Sequence, residues 1–217
     1  MSSEPVIVAP AVRAQVLATE HWSLLATRGT AQSELLSRIT TFLMLVSSSI
    51  VGLALVGQFT RFDSRFITFA LVLLGALVVI GWLTQMRVGN ASIEDLGHVI
   101  GMNRLRAGYV ELDPGVERYF VTSAHDDSKG IWQTYNHLVG PHQMGNVLAS
   151  SGTFITFVTS GLAGAFAATV AVALGAPGWV VGTAGAAAAV AFLLTTVVLG
   201  VRSFRRITGR TVLFPEK

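Results

Sequence analysis

The residues with the clearest potential for chemistry form a short cluster, His125, Asp126 and Asp127. Imidazole and carboxylate groups bind divalent metal ions or move protons. His137 and His142 follow within 17 residues and would complete a site if the chain folded back. One alternative is that the two aspartates cap the next helix and complement its positive N-terminal end, and another is that the cluster makes a regulatory contact. We favour capping, because no HExxH motif, paired cysteines or EF-hand spacing accompanies the cluster.

A second candidate is the small basic patch of Asn103, Arg104 and Arg106. Such a patch binds an anionic lipid head group or a nucleotide phosphate. The alternative, which we favour, is a solvated helix face or a set of ion pairs. The acidic residues available for those pairs are Glu94, Asp95 and Glu111.

A third group is a basic tail that directly follows the last apolar stretch: Arg202, Arg205, Arg206 and Arg210. Basic residues at a membrane surface each contribute about 1 kcal/mol of attraction to anionic lipid. We interpret the tail as a stop-transfer signal and lipid anchor. Because its charges lie at the membrane edge, we expect no nucleic-acid partner.

The composition identifies the environment that must position these groups. Charged residues make up 12% of the 217-residue chain, whereas soluble domains carry about 25%. Hydrophobic residues make up 52%, and the mean hydropathy is +0.61. This composition excludes a purely soluble protein and a disordered chain. The absence of cysteine excludes disulfides and thiolate metal sites.

The charge-free stretches predict the membrane spans. Residues 39–60, 66–86 and 130–201 contain no Asp, Glu, Lys or Arg, and a helix needs about 20 apolar residues to cross a bilayer. The third stretch is long enough for two spans and is broken at Gly140-Pro141 and at 175–178. We therefore predict an all-α, four-helix transmembrane protein with a helical cytoplasmic segment between spans 2 and 3. The predicted spans are 41–58, 66–85, 148–174 and 179–201.

The positive charges predict the orientation. The expected segments are an N-terminal amphipathic region (1–38), a transmembrane hairpin (39–86), a helical segment (87–146), a second hairpin (147–201) and a basic tail (202–217). With four spans, 13 of the 15 Lys and Arg residues fall on one side, which the positive-inside rule assigns to the cytoplasm. We expect a multi-pass protein of the bacterial inner membrane with both termini cytoplasmic. Residues 1–20 lack a signal-peptide pattern, so we expect the first span to be retained.

The polar segments contain helix-start signals. Residues 11–29 predict an amphipathic helix, either lying on the inner leaflet or packed on the central segment. Thr30 or Ser33 would cap a second helix that runs into span 1. In the central segment, Ser92 would cap a helix over 93–109, and Asp113 a second that starts at Pro114. A third is expected from 127 or 128 to 139. A protein partner could bind through residues 87–146.

Three stretches carry a resemblance: LLATRGTAQSELLSRITTFL (24–43), GMNRLRAGY (101–109) and YFVTSAHDDSKGIWQTY (119–135). They are similar to those of a family of uncharacterised bacterial four-span integral membrane proteins. The resemblance covers most of the chain and implies the four-span architecture. It implies no activity.

The spans contain small and hydroxylated residues but no ionisable group. Small residues four positions apart let helix backbones approach closely in lipid, within one chain or between chains. Serine and threonine either line a water-filled path or donate hydrogen bonds to nearby carbonyls, and we favour the second. The candidates for pore lining or helix packing are Ser47, Ser48, Gly52, Thr153, Thr156, Ser160, Gly164, Gly178 and Gly182.

The sequence favours a non-enzymatic membrane protein that self-associates through its small-residue helix faces, as a scaffold, sensor or assembly partner. We expect a homo-oligomer in the lipid membrane and no cofactor. The first alternative is an oligomeric channel with a Ser/Thr-lined path. The second is a membrane enzyme that uses His125, Asp126 and Asp127 at the inner face.

Overall fold

The computed structural model describes residues 9–137, 150–208 and 212–216, without the side chains of 204–208. Within those ranges every regular element is a helix, which confirms the all-α prediction. Four helices are long and apolar enough to cross a membrane. The α-helices are α1 (Pro10–Thr60), α2 (Ser64–Leu112), α3 (Ser128–Asn136), α4 (Ser151–Ala173) and α5 (Gly178–Thr208), with a 3₁₀ helix (Pro114–Tyr119) before α3.

The chain forms two compact units. We call residues 33–91 and 143–205 the membrane unit, because they contain the apolar parts of α1, α2, α4 and α5. We call residues 1–32, 92–142 and 206–217 the polar unit.

Two tight turns join the helices of the membrane unit. Between α1 and α2, Arg61 and Phe62 take left-handed conformations with φ of 51° and 60°, which are uncommon outside glycine. Asp63 then caps α2, its Oδ1 accepting the backbone N–H of Arg65 at 2.9 Å. Between α4 and α5, Gly175 has a φ of 71°. The second turn was predicted at 175–178, whereas the one predicted at Gly140-Pro141 lies outside the described residues.

The core of the membrane unit combines buried aliphatic side chains with the ring of Phe42, and Phe66 and Phe166 pack against it. Phe42 of α1, Leu77 of α2 and Ile155 of α4 are each almost completely buried. Gly81 allows close packing here, because a Cβ at this position would lie 2.8 Å from Thr159 Cγ2. The core therefore brings α1, α2 and α4 together.

In the polar unit, the first turns of α1 pack along the last turns of α2. A Cβ on Gly101 would lie 2.9 Å from Leu24 Cδ1, and one on Gly108 would lie 3.2 Å from Leu17 Cδ1. Arg13 pairs with Glu111 at 2.5 Å. Of the two predicted placements for residues 11–29, these contacts favour packing on the central segment.

Two predicted helix boundaries are wrong. Thr30 and Ser33 lie inside α1, and Ser92 lies inside α2, so none of them caps a helix. Thr30 Oγ1 donates to the Ala26 carbonyl at 3.0 Å instead. Hydroxyl residues bond either a following N–H at a cap or a preceding carbonyl within a helix, and here the helix simply continues. The prediction that the helix runs on into span 1 is confirmed.

The predicted caps of the two short helices are confirmed. Asp113 accepts the N–H of Gly115 and precedes Pro114, although the helix that follows is 3₁₀. Asp127 caps α3, which ends at Asn136 rather than at 139. The expected start of the third span, residues 148 and 149, lies outside the described residues, and α4 begins at Ser151 after the cap residue Ser150.

Candidate functional site

Asp127 stabilises the start of α3 and also contacts the end of the chain. Its Oδ1 accepts the backbone N–H of Gly130 at 2.7 Å, and its Oδ2 accepts the N–H of Glu216 at 3.0 Å. The Gly130 N–H, aided by that of Glu216, lowers the pKa of the Asp127 carboxyl despite partial burial. The capping interpretation of Asp127 is therefore confirmed.

Asp126 has a different role from the predicted cap. Its buried carboxylate accepts the backbone N–H groups of Leu213, at 3.0 and 3.1 Å, and Phe214, at 2.7 Å. Arg104 Nε donates to the same carboxylate at 2.7 Å. The Asp126 backbone N–H donates to the Phe214 carbonyl at 3.2 Å. Asp126 thus binds the C-terminal segment, and its prediction as a cap is wrong because its oxygens accept the N–H groups of Leu213 and Phe214, while Asp127 caps α3.

These contacts perturb the Asp126 carboxyl in opposite directions. Burial by itself raises its pKa, but the N–H groups of Leu213 and Phe214 and the Arg104 guanidinium together lower it below the ordinary value. The ionised carboxylate is therefore the form that holds the C-terminal segment. Lys129 Nζ adds an exposed ion pair to Glu216 at 2.8 Å. We call residues 212–216 the tail.

Asn103 is the buried centre of the polar unit. Its Nδ2 donates to the His125 carbonyl at 2.8 Å. Its Oδ1 accepts Thr134 Oγ1 at 3.0 Å and Arg106 Nη1 at 2.8 Å. One fully buried amide therefore links α2, α3 and the segment that carries the His-Asp-Asp cluster.

The predicted basic patch does not act as one surface. Arg104 pairs with Asp126, while Arg106 is half-buried against Asn103. Burial and the neighbouring Arg28 lower the pKa of Arg106. The nearby carboxylate Asp95 pairs with Arg28 at 2.6 Å. Its Oδ2 also accepts the Tyr135 hydroxyl at 2.7 Å.

Two of the three histidines of the proposed metal site, His125 and His137, lie in the described part of the chain, and they have different surroundings. His125 is half-buried next to the tail-binding carboxylate, and His137 Nδ1 lies 2.9 Å from the Thr134 carbonyl. His142 lies outside the described residues. Within the described part of the chain, no three His, Asp or Glu side chains are arranged to hold a metal ion.

The hydroxyl candidates of the membrane unit divide into two environments. Ser47 and Ser48 on α1 are exposed, and Ser48 donates to the Met44 carbonyl. Thr156 and Ser160 on α4 are buried and donate to the carbonyls four residues earlier, at 2.8 and 2.7 Å. Thr153 is half-buried and lies 3.0 Å from Ser150 Oγ.

Gln85 and Thr156 form a polar contact that the sequence interpretation missed. Gln85 Nε2 donates to Thr156 Oγ1 at 2.8 Å, which joins α2 to α4 inside the membrane unit. The Oε1 of the same amide is buried and has no hydrogen-bond donor among the residues that the structure describes. A glutamine near the end of a long apolar stretch was a visible signal, but its partner lies 71 residues away.

The small residues also divide into two sets. Gly164 and Gly185 lie at a close approach of α4 and α5, because a Cβ on Gly164 would lie 2.8 Å from the Gly185 carbonyl oxygen. Around Gly52, Gly178 and Gly182 an added Cβ would meet nothing within 4 Å. The chain's own packing therefore uses one set of small residues and leaves the other open.

The arginines of the predicted basic segment 202–217, which begins before the tail, fall largely outside what the structure describes. Arg202 is exposed on α5. Arg205 and Arg206 lie in the helix, but their side chains are not among those described, and Arg210 lies outside the described residues.

Comparison with protein-family models, with curated proteins and with solved structures found no match to this chain.

Proposed function

We propose that this chain is a non-enzymatic membrane protein that self-associates through the open small-residue face of α5. Gly178, Gly182 and Ala186 recur every four residues, so they lie on one side of the helix. All three are exposed. We call these three residues the open face.

Support for the open face comes from its contrast with the occupied face of the same helix. Gly185 and Ala189 contact Gly164 of α4 within the chain. Only 6% of the most apolar part of α5 is buried. Small residues bring helix backbones together in lipid through van der Waals contacts, without a hydrophobic driving force. The open face offers the same kind of surface to a second copy.

The hydroxyl positions give less support to a pore. A Ser/Thr-lined path requires Ser47–Ser49 and Thr153–Ser160 to face the same water. Thr156 and Ser160 are buried in the core of their own unit and already hydrogen bonded, whereas Ser47 and Ser48 are exposed. A path through Thr156 would have to break that core.

The proposal places the protein in the bacterial inner membrane with both termini in the cytoplasm. Its support is the charge distribution, with 13 of the 15 Lys and Arg residues on one side of a four-span chain. The polar unit would then be available to cytoplasmic partners, as a scaffold or sensor requires.

The test is the effect of Gly182→Leu on the strength of self-association. A leucine at this position meets open space in its own chain but holds a second helix away. We expect the variant to dissociate at a protein concentration at least about tenfold higher than wild type, a loss of about 1.4 kcal/mol. Dilution of fluorophore-labelled protein in liposomes, read by energy transfer, measures this.

The matched control is Gly161→Leu, since Gly161 is also an exposed span glycine with nothing within 4 Å. We expect this variant to associate like wild type. A monomeric wild-type protein, or equal association of both variants, would count against the proposal.

A further inference from the structure

The tail forms one wall of an open cavity of about 290 Å³ in the polar unit. Its walls come from the last turns of α2, from the segment before α3 and from the tail itself. The apolar lining residues are Ala107, Val110, Ala124, Leu213, Phe214 and Pro215. If each non-hydrogen atom occupies about the 30 Å³ of a liquid water molecule, the space holds about ten atoms. This is the size of a small metabolite.

The polar residues that line the cavity are Glu111, Glu117 and His125. The two carboxylates differ in their partners. Glu111 is neutralised by Arg13 at 2.5 Å. The exposed Glu117 has no side-chain partner within the described part of the chain. Its neighbour Arg118 is turned to Tyr119, donating to the hydroxyl at 2.8 Å.

We propose that this cavity binds a small organic cation, a protonated amine on an apolar body of about ten non-hydrogen atoms. The apolar walls shield part of the body from water, which stabilises binding. The Glu117 carboxylate attracts the ammonium group and disfavours an anion of the same shape. Ligand pockets commonly have this composition, with mostly apolar walls and a few polar groups that fix orientation.

Binding is linked to the tail. Three of the wall residues belong to the tail, which is bound through its backbone to Asp126 and Asp127. An amine in the cavity therefore favours the bound tail, and release of the tail removes one wall. By linkage, each of the two events stabilises the other to the same extent.

The experiment measures 2-phenylethylammonium binding to the full-length protein in detergent at pH 7, by isothermal titration calorimetry. We expect saturable binding that Glu117→Gln weakens at least about fivefold, an effect typical of a charge-assisted contact. The uncharged analogue 2-phenylethanol, of nearly the same shape, should bind at least about fivefold more weakly than the amine.

The matched control is Glu20→Gln, because Glu20 is an exposed carboxylate that does not line the cavity. It should leave the affinity unchanged. Asp126→Ala, which removes the acceptor that holds the tail, should weaken binding as much as Glu117→Gln or more. Circular dichroism verifies that each variant retains its helices. Absence of saturable binding, equal affinity for the alcohol, or wild-type affinity in Glu117→Gln would overturn the proposal.

Discussion

Asp126 and Asp127 are neighbours in sequence, yet their carboxylates stabilise different parts of the polar unit. Asp127 holds the first turn of α3, and Asp126 holds the backbone of Leu213 and Phe214. A buried carboxylate that accepts several N–H groups and pairs with an arginine retains its charge, because each contact favours the ionised form. The cluster with the clearest potential for chemistry thus connects the tail to the rest of the polar unit.

The lowered pKa values of both aspartates predict how tail binding responds to pH. A carboxyl with a lowered folded-state pKa stabilises the bound state above the ordinary Asp value of about 3.9, and this stabilisation is lost as the pH falls through the lowered pKa. We expect the tail to remain bound from pH 7 to 5. Release should occur below about pH 3.9, as the pH falls through the lowered pKa values of the two aspartates. Hydrogen exchange at the Leu213 and Phe214 amides reports release.

Asp126→Asn should release the tail at neutral pH, because an uncharged amide offers one acceptor oxygen and no charge to Arg104. We expect amide exchange in residues 212–216 to accelerate at least about tenfold, while Glu20→Gln leaves it unchanged. Protection that is the same in wild type and Asp126→Asn at pH 7 would contradict this role.

At the scale of helices, close approach depends on a few glycines. Gly164 on α4 lies against the Gly185 backbone of α5, whereas Gly161, three residues earlier, faces open space. Adding one methyl group to each therefore has opposite consequences. At Gly164 it meets a backbone oxygen that cannot move away easily, and at Gly161 it only restricts the unfolded chain.

We expect Gly164→Ala to lower the free energy of unfolding by about 1–3 kcal/mol, the usual cost of overpacking. Gly161→Ala should leave it unchanged or raise it by up to about 1 kcal/mol, through helix propensity. Unfolding in detergent mixtures, followed by circular dichroism, measures both. Equal stability of the two variants would show that α4 and α5 do not approach as described.

The spans were predictable from sequence because an apolar stretch of about 20 residues without charged side chains is nearly sufficient to specify a membrane helix. The continuity of α1 and α2 was not, since Thr30 and Ser92 fit both a cap and a helix interior. The role of Asp126 was also hidden. Its partner Leu213 lies 87 residues away, and a backbone N–H group leaves no signal in the residue types.

At the scale of the molecule, the exposed apolar side chains of the membrane unit do not by themselves favour self-association. In the membrane unit, exposed side chains such as Leu55, Val72 and Leu194 face lipid, which is as apolar as they are. Self-association therefore gains no free energy from the hydrophobic effect. It depends on close van der Waals packing between helix surfaces of matching shape. The open face of α5 provides a smooth helix surface of that kind.

The most direct test of self-association uses the absence of cysteine in the chain. A single cysteine at Gly182 or Ala186 cannot form a disulfide within its own chain, and it pairs with the same cysteine of a second copy only if the two Cβ atoms come within about 4.5 Å. Native membranes carrying each variant are treated with a mild oxidant, and Gly161→Cys serves as the control. We predict a covalent dimer for Gly182→Cys and Ala186→Cys and little for Gly161→Cys. Monomers at all three positions, or equal dimer at all three, would contradict the account.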